Sequence, residues 1–159
     1  MKRKNQTGFS LIELLIVVTI IGIIAAMAIP NLLASRRAAN EGSAQQSLRT
    51  LTSAEMTYQL TAGNGSYGSL SNLMNQFLVD SVLGQADTTA KSGYKFTVNP
   101  VAGSPATFWA YALPSITAGV GKTGTRRFAI AEDGVLRGDL TLSAPADEAA
   151  VRAMTAVGN

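Results

Sequence analysis

No charged residue occurs between Leu14 and Ser35. Wound as a helix, that run is about 33 Å long, which matches a bilayer hydrocarbon core of roughly 30 Å. Lys2, Arg3 and Lys4 precede it, and a basic flank of this kind holds its end of a spanning helix in the cytoplasm. The pattern predicts a membrane-inserted helix with its N-terminus inside and everything after Arg36 outside.

An ordinary secretory signal peptide is the competing reading, because Ala26-Met27-Ala28 forms an A-x-A pattern after an apolar run. Two features count against it. Glu13 lies inside the apolar segment, where an unpaired carboxylate costs up to about 2.5–3.5 kcal/mol, and a disposable signal has no use for it. The helical pattern also continues past Ala28, whereas a mature domain starts afresh.

Composition removes several classes of function. The chain has no cysteine and no histidine. That excludes a disulfide framework, a thiolate metal site and the commonest general base. Lys2, Arg3 and Lys4 account for the whole formal net charge of +3. The remaining basic doublets, Arg36-Arg37 and Arg126-Arg127, lack interleaved aromatics, so no nucleic-acid footprint is expected.

The segment Gly8-Phe9-Ser10-Leu11-Ile12-Glu13-Leu14 resembles the processing site of type IV prepilins and of the related pseudopilins of type II secretion. A short basic leader ends in glycine; phenylalanine follows, then three residues, then glutamate. The resemblance implies cleavage between Gly8 and Phe9 by a membrane-embedded prepilin peptidase, which also N-methylates the new Phe9 amine. It divides the chain into a leader (1–8), an apolar membrane and assembly half of a helix (9–35), and a head (36–159). It further implies a precursor in the bacterial inner membrane, surrounded by lipid until assembly. An assembly platform there, driven by a motor ATPase, would build a surface pilus or a periplasmic pseudopilus from copies of the chain. No cofactor is expected.

Elementary electrostatics gives the motif a reason. Cleavage before Phe9 creates an ammonium one helical turn from Glu13, and two charges in an apolar setting are tolerated only when paired. The pair forms within one chain or between Glu13 of one subunit and Phe9 of the next. The resemblance implies the second, as a device for filament register. Gly22 and Pro30 interrupt the helix, and Pro30 is expected to kink it; a plain bend and a role in local melting both fit.

Beyond Pro30, Ala44, Leu48, Leu51, Ala54 and Tyr58 fall on one helical stripe. Arg36, Arg37, Glu41, Gln45, Arg49 and Glu55 take other positions. Unbroken from Phe9 to about Leu60, the helix would be roughly 75–80 Å long, and Gly63-Asn64-Gly65-Ser66 would end it. Ser69–Leu83 reads as a shorter helical region capped by Ser69 or Ser71, with Leu70, Leu73, Met74 and Phe77 inward; 84–92 reads as an exposed loop. Strands follow at 94–98, stopped by Asn99-Pro100, at 107–113, at 127–131, and at 135–137 after the turn Glu132-Asp133-Gly134. Four antiparallel strands on half of a long helix make an α+β, pilin-like fold. The tail 143–159 reads as weakly helical at most and mobile.

Other constellations fall short of a site. Gly119–Gly124 lacks the first glycine of a phosphate loop, since position 116 is isoleucine, and no helix follows. Glu132, Asp133 and Asp139 are weak candidates for a calcium site, and a charged turn is the simpler account. The aromatics Tyr94, Phe96, Phe108, Trp109 and Tyr111 read as core or subunit-contact residues. The chain is therefore expected to be a structural pilus subunit and not an enzyme. A type II secretion pseudopilin is the alternative, and a secreted domain released after Ala28 is the third reading.

Overall fold

A computed structural model describes residues 8–157. The chain divides into two compact units, Met1–Ser35 and Arg36–Asn159, and helix α1 (Leu11–Leu60) contributes to both. In the first unit α1 carries its apolar side chains bare: Ile12, Leu14, Leu15, Ile16 and Ile24 are all exposed. The helix continues through Pro30, whose ring removes one backbone donor; beside it Asn31 Nδ2 donates to the Met27 carbonyl at 3.2 Å.

The second unit is the α+β head. Its elements after α1 are α2 (Leu70–Asn75), α3 (Ser81–Gly84), β1 (Tyr94–Val101), β2 (Thr107–Pro114), β3 (Arg127–Ala131), β4 (Arg137–Asp139) and α4 (Glu148–Arg152). The four strands form one antiparallel sheet in the order β1-β2-β3-β4. The stripe Ala44, Leu48, Leu51 and Ala54 of α1 packs on Phe96, Phe108, Ala110, Ala112, Phe128 and Ile130 from one face of that sheet. Ala112 stands between Phe96 and Phe128, and Ala110 between Val98 and Ile130, so large and small side chains interlock across the strands.

Several expectations need correction. β1 does not stop at Asn99-Pro100 but runs to Val101, with Pro100 opposite Phe108. It is an edge strand, where a residue without an N–H is tolerated. β4 is Arg137–Asp139 and not 135–137: Asp133 Oδ1 takes the Val135 N–H at 3.0 Å, and Leu136 turns into the core. The region 69–83 is two short helices, capped by Ser69 and Asp80. Phe77 lies between them with φ 55°, and its side chain is 94% exposed, not inward. Nor is 84–92 wholly an exposed loop: Ala86 is buried, and its carbonyl accepts the Phe96 N–H at 2.8 Å.

The largest correction concerns the tail. Val151 and Met154 are buried against Ala129 and Ala131 on the second face of the sheet, flanked by Trp109 and Tyr111, whose rings stack at 5.6 Å. This covering explains why β3 is buried on both faces, where a one-sided strand would alternate. The Asp147 carboxylate caps α4 through the Ala150 N–H at 2.7 Å. Beyond α4, the Gly138 N–H donates to Thr155 and the Val157 N–H to Leu136, both at 2.9 Å. Substituting Val151 by aspartate would bury a charge against Ala129 and Ala131, and is expected to lift α4 off the sheet. The check is limited trypsin digestion: cleavage after Arg152 should be rapid in V151D and slow in the parent.

Candidate functional site

The segment expected to be cleaved lies just ahead of α1. Gly8, Phe9 and Ser10 are non-helical and exposed, with Phe9 at 83% exposure. Extended, accessible backbone is what a peptidase needs at a scissile bond. Glu13 sits in the first turn of α1, where a carboxylate opposes the positive end of the helix dipole. Its Oε2 accepts the Ser10 N–H at 2.9 Å, and the Leu14 N–H donates to the Ser10 carbonyl at 3.3 Å. This is the returning half of a capping box written as Ser10-x-x-Glu13. Ser10 was missed as a positioning residue, although the S-x-x-E spacing before an apolar run is a readable signal.

The arrangement can bind a positive group at one place. In the uncut chain Phe9 is an amide and the Glu13 carboxylate is held by the Ser10 N–H. Cutting the Gly8–Phe9 bond would put an ammonium one residue further out, at the same end of the helix. Each of the other three residues singled out as metal candidates faces an arginine. Asp139 makes a two-pronged contact with Arg127 at 2.8 and 2.8 Å, and Asp133 one with Arg137 at 3.1 and 2.6 Å. Glu132 pairs with Arg152, which also reaches Asp133 and Glu148. Hydrogen bonds from Arg137 and Arg127 hold the Asp133 and Asp139 carboxyls below the usual range. Among the described residues, no group of three acidic side chains is arranged to hold a metal ion. Residues 116–124 form a loop entering β3, not a helix, so the phosphate-loop geometry is not built.

The sequence pattern puts Glu55 among the polar positions of α1, and the structure overturns that. It is fully buried. Oε2 accepts the Gly68 N–H at 2.9 Å, and Oε1 has no hydrogen-bond partner. Burial, only partly offset by that N–H, pushes its pKa up to about 7.

Comparison with known proteins centres on the same N-terminal end. The prokaryotic N-terminal methylation motif matches residues 3–29. The chain is 47% identical over 66 residues to the type IV wide pilus major component PilA4 of Thermus thermophilus, covering 42% of this chain and 49% of the relative. It is 39% identical over 59 residues to the type II secretion system core protein G of Vibrio cholerae, covering 37% and 40%. It is 45% identical over 54 residues to the type IV major pilin protein PilA of Myxococcus xanthus, covering 34% and 24%. The chain thus spans half or less of the length of these relatives. No solved structure matches it. Helix α1 is long and apolar enough to cross a membrane, and over its N-terminal third the chain is similar to type IV pilins and type II secretion pseudopilins, with which it shares the N-terminal methylation motif.

Proposed function

We propose that the chain is the precursor of a structural type IV pilus subunit, cut between Gly8 and Phe9, methylated at the Phe9 amine and polymerised into a helical filament. The observation that carries this reading is the bare apolar half of α1, with a single carboxylate, Glu13, one turn from the cut. A surface of that extent is far above what a soluble monomer leaves exposed. It suits lipid before assembly and copies of itself afterwards. Repetition of one heterologous contact gives an open helix, and the Glu13 carboxylate of each subunit receives the Phe9 ammonium of its neighbour. Processing falls to a prepilin peptidase, and extraction to an assembly platform with its own ATPase.

A pseudopilin of type II secretion is the second reading, favoured by the similarity to core protein G. Intact mass and N-terminal sequence, taken on sheared surface filaments and on membranes separately, decide between them. A methylated chain beginning at Phe9 in the sheared fraction supports the pilus subunit. The same chain confined to membranes favours the pseudopilin. A chain beginning at Ile29 overturns both.

A further inference from the structure

The head carries a second organised surface, at the end where α1 enters it. Asn40 Nδ2 donates to the Thr123 carbonyl at 2.9 Å. Glu41 Oε1 accepts from both N and Oγ1 of Thr125, each at 2.7 Å. These bonds fasten the connection between β2 and β3 to the base of α1. The loop closes on itself where the Thr123 N–H donates to Ile116 at 3.0 Å. The Ile116 N–H returns to Thr123 Oγ1 at 3.2 Å. Gly124 is wedged under Tyr94, where an added Cβ would lie 2.0 Å from the Tyr94 hydroxyl oxygen, and that hydroxyl donates to the Arg126 carbonyl at 2.9 Å.

A loop held this firmly nevertheless presents apolar side chains to solvent: Val120 is 79% exposed and Ile116 is 49% exposed. Basic residues lie on the same connection and on the segments joined to it. Lys122 and Arg126 belong to the same connection, Arg36 lies one turn before Asn40, and Lys91 and Lys95 flank the start of β1. Asp80, which caps α3 through the Leu83 N–H, lines the same depression as Lys91, and two further carboxylates are engaged by neighbours. Glu41 is engaged by Thr125, and Asp139 by Arg127. Glu132, Asp133 and Glu148 gather instead around Arg152, by the far end of β3.

We propose that this end of the head docks on an acidic lipid surface, with Val120 and Ile116 entering the interface and Lys122, Arg126 and Arg36 facing headgroup phosphates. The inference rests on reading the apolar run as membrane-inserted. Asn40 is five residues beyond Ser35, so at most about 18 Å of chain separates the loop's anchor from the end of that run. Apolar tips among basic side chains are the chemistry of interfacial membrane contact. Each basic residue near an anionic surface multiplies the docked-to-undocked ratio about fivefold.

The absence of cysteine makes one introduced thiol a unique label. The full chain bearing a nitroxide at Ala118→Cys would be reconstituted in vesicles of phosphatidylcholine alone and of phosphatidylcholine with phosphatidylglycerol. Accessibility to a water-soluble relaxant is then read, with Ala102→Cys, on the β1–β2 turn, as the control. Accessibility at position 118 should fall in the acidic vesicles only, and should recover at high salt or with Lys122→Gln and Arg126→Gln together. Protection that is equal in both vesicle types points to a second copy of the chain, and overturns the proposal. So does protection that survives the double substitution. A chain that fails to float with either vesicle type would sink the membrane reading itself, and docking with it.

Discussion

A chain with Glu13→Ala is expected to be cleaved at Gly8–Phe9 as the parent is, and to yield almost no sheared filament. A processing peptidase would meet exposed, non-helical backbone at Gly8 and Phe9, which the substitution does not touch. Assembly is different. Each subunit added would bury a Phe9 ammonium without a partner, and breaking a buried pair in this way costs about 3 kcal/mol or more. That lowers the equilibrium constant for each addition roughly hundredfold. Glu13 also accepts the Ser10 N–H in the uncut chain, so loss of the cap is a rival explanation. Glu13→Gln separates the two, because its amide oxygen still accepts that bond while the charge is gone. If the glutamine chain polymerises normally and the alanine chain does not, capping is the role of Glu13 and charge pairing is rejected. N-terminal sequencing of the membrane fraction, beside filament yield, keeps processing and assembly apart.

The parts legible in the sequence share one property: their signal is local. The uncharged run, the stripe Ala44–Leu48–Leu51 and the boundaries of β3 each follow from residues a few positions apart. What escaped depends on distant partners. Pro100 looked like a stop because nothing nearby reveals that its strand lies at an edge. The tail looked mobile because Ala149, Ala150 and Ala153 offer little apolar surface. Its anchors, Val151 and Met154, have value only against Ala129 and Ala131. Those two alanines are the clue: a strand with small residues on one face leaves room for something to lie there. Helical spacing points Phe77 inward, but α2 ends at Asn75, and a left-handed residue after a helix breaks the spacing.

The site shows the same division. The roles proposed for Gly8, Phe9 and Glu13 rest on a contiguous pattern, and the Ser10–Glu13 cap that the structure shows belongs to the same stretch. The loop anchored by Asn40 and Glu41 and the arginines facing Glu132 and Asp139 are not legible, since those partners come from other elements, while Arg137 lies only four residues from Asp133. The metal candidates show how weak clustering in sequence is. Acidic residues in a turn carry no information about the cation opposite them, and here the structure places guanidinium groups there.

Glu55 is expected to make the head lose stability as pH rises from about 5 to about 8. Burial lifts its carboxyl to about 7 from the ordinary 4.5. Below 4.5 it is protonated whether the chain is folded or not, and its burial carries no charge penalty. Above 7 it is ionised in both states, and the folded state bears the full penalty of about 3 kcal/mol. Asp133, Asp139 and Glu148 are shifted the other way by their arginine partners. Their stabilisation is complete once the pH exceeds ordinary carboxylate values, so they do not mask the Glu55 slope. Glu55→Gln keeps an oxygen for the Gly68 N–H and removes the titration. Urea unfolding of the full chain in detergent, followed by emission of the single Trp109, should show the parent weakening across this range and the glutamine variant level. The absolute stability of the variant is not the test, because its amide nitrogen falls where Oε1 has no hydrogen-bond partner; the difference in slope is. Equal slopes in the two chains would mean that another group titrates, and a level parent curve would mean that water reaches Oε1 and keeps the carboxylate solvated in place.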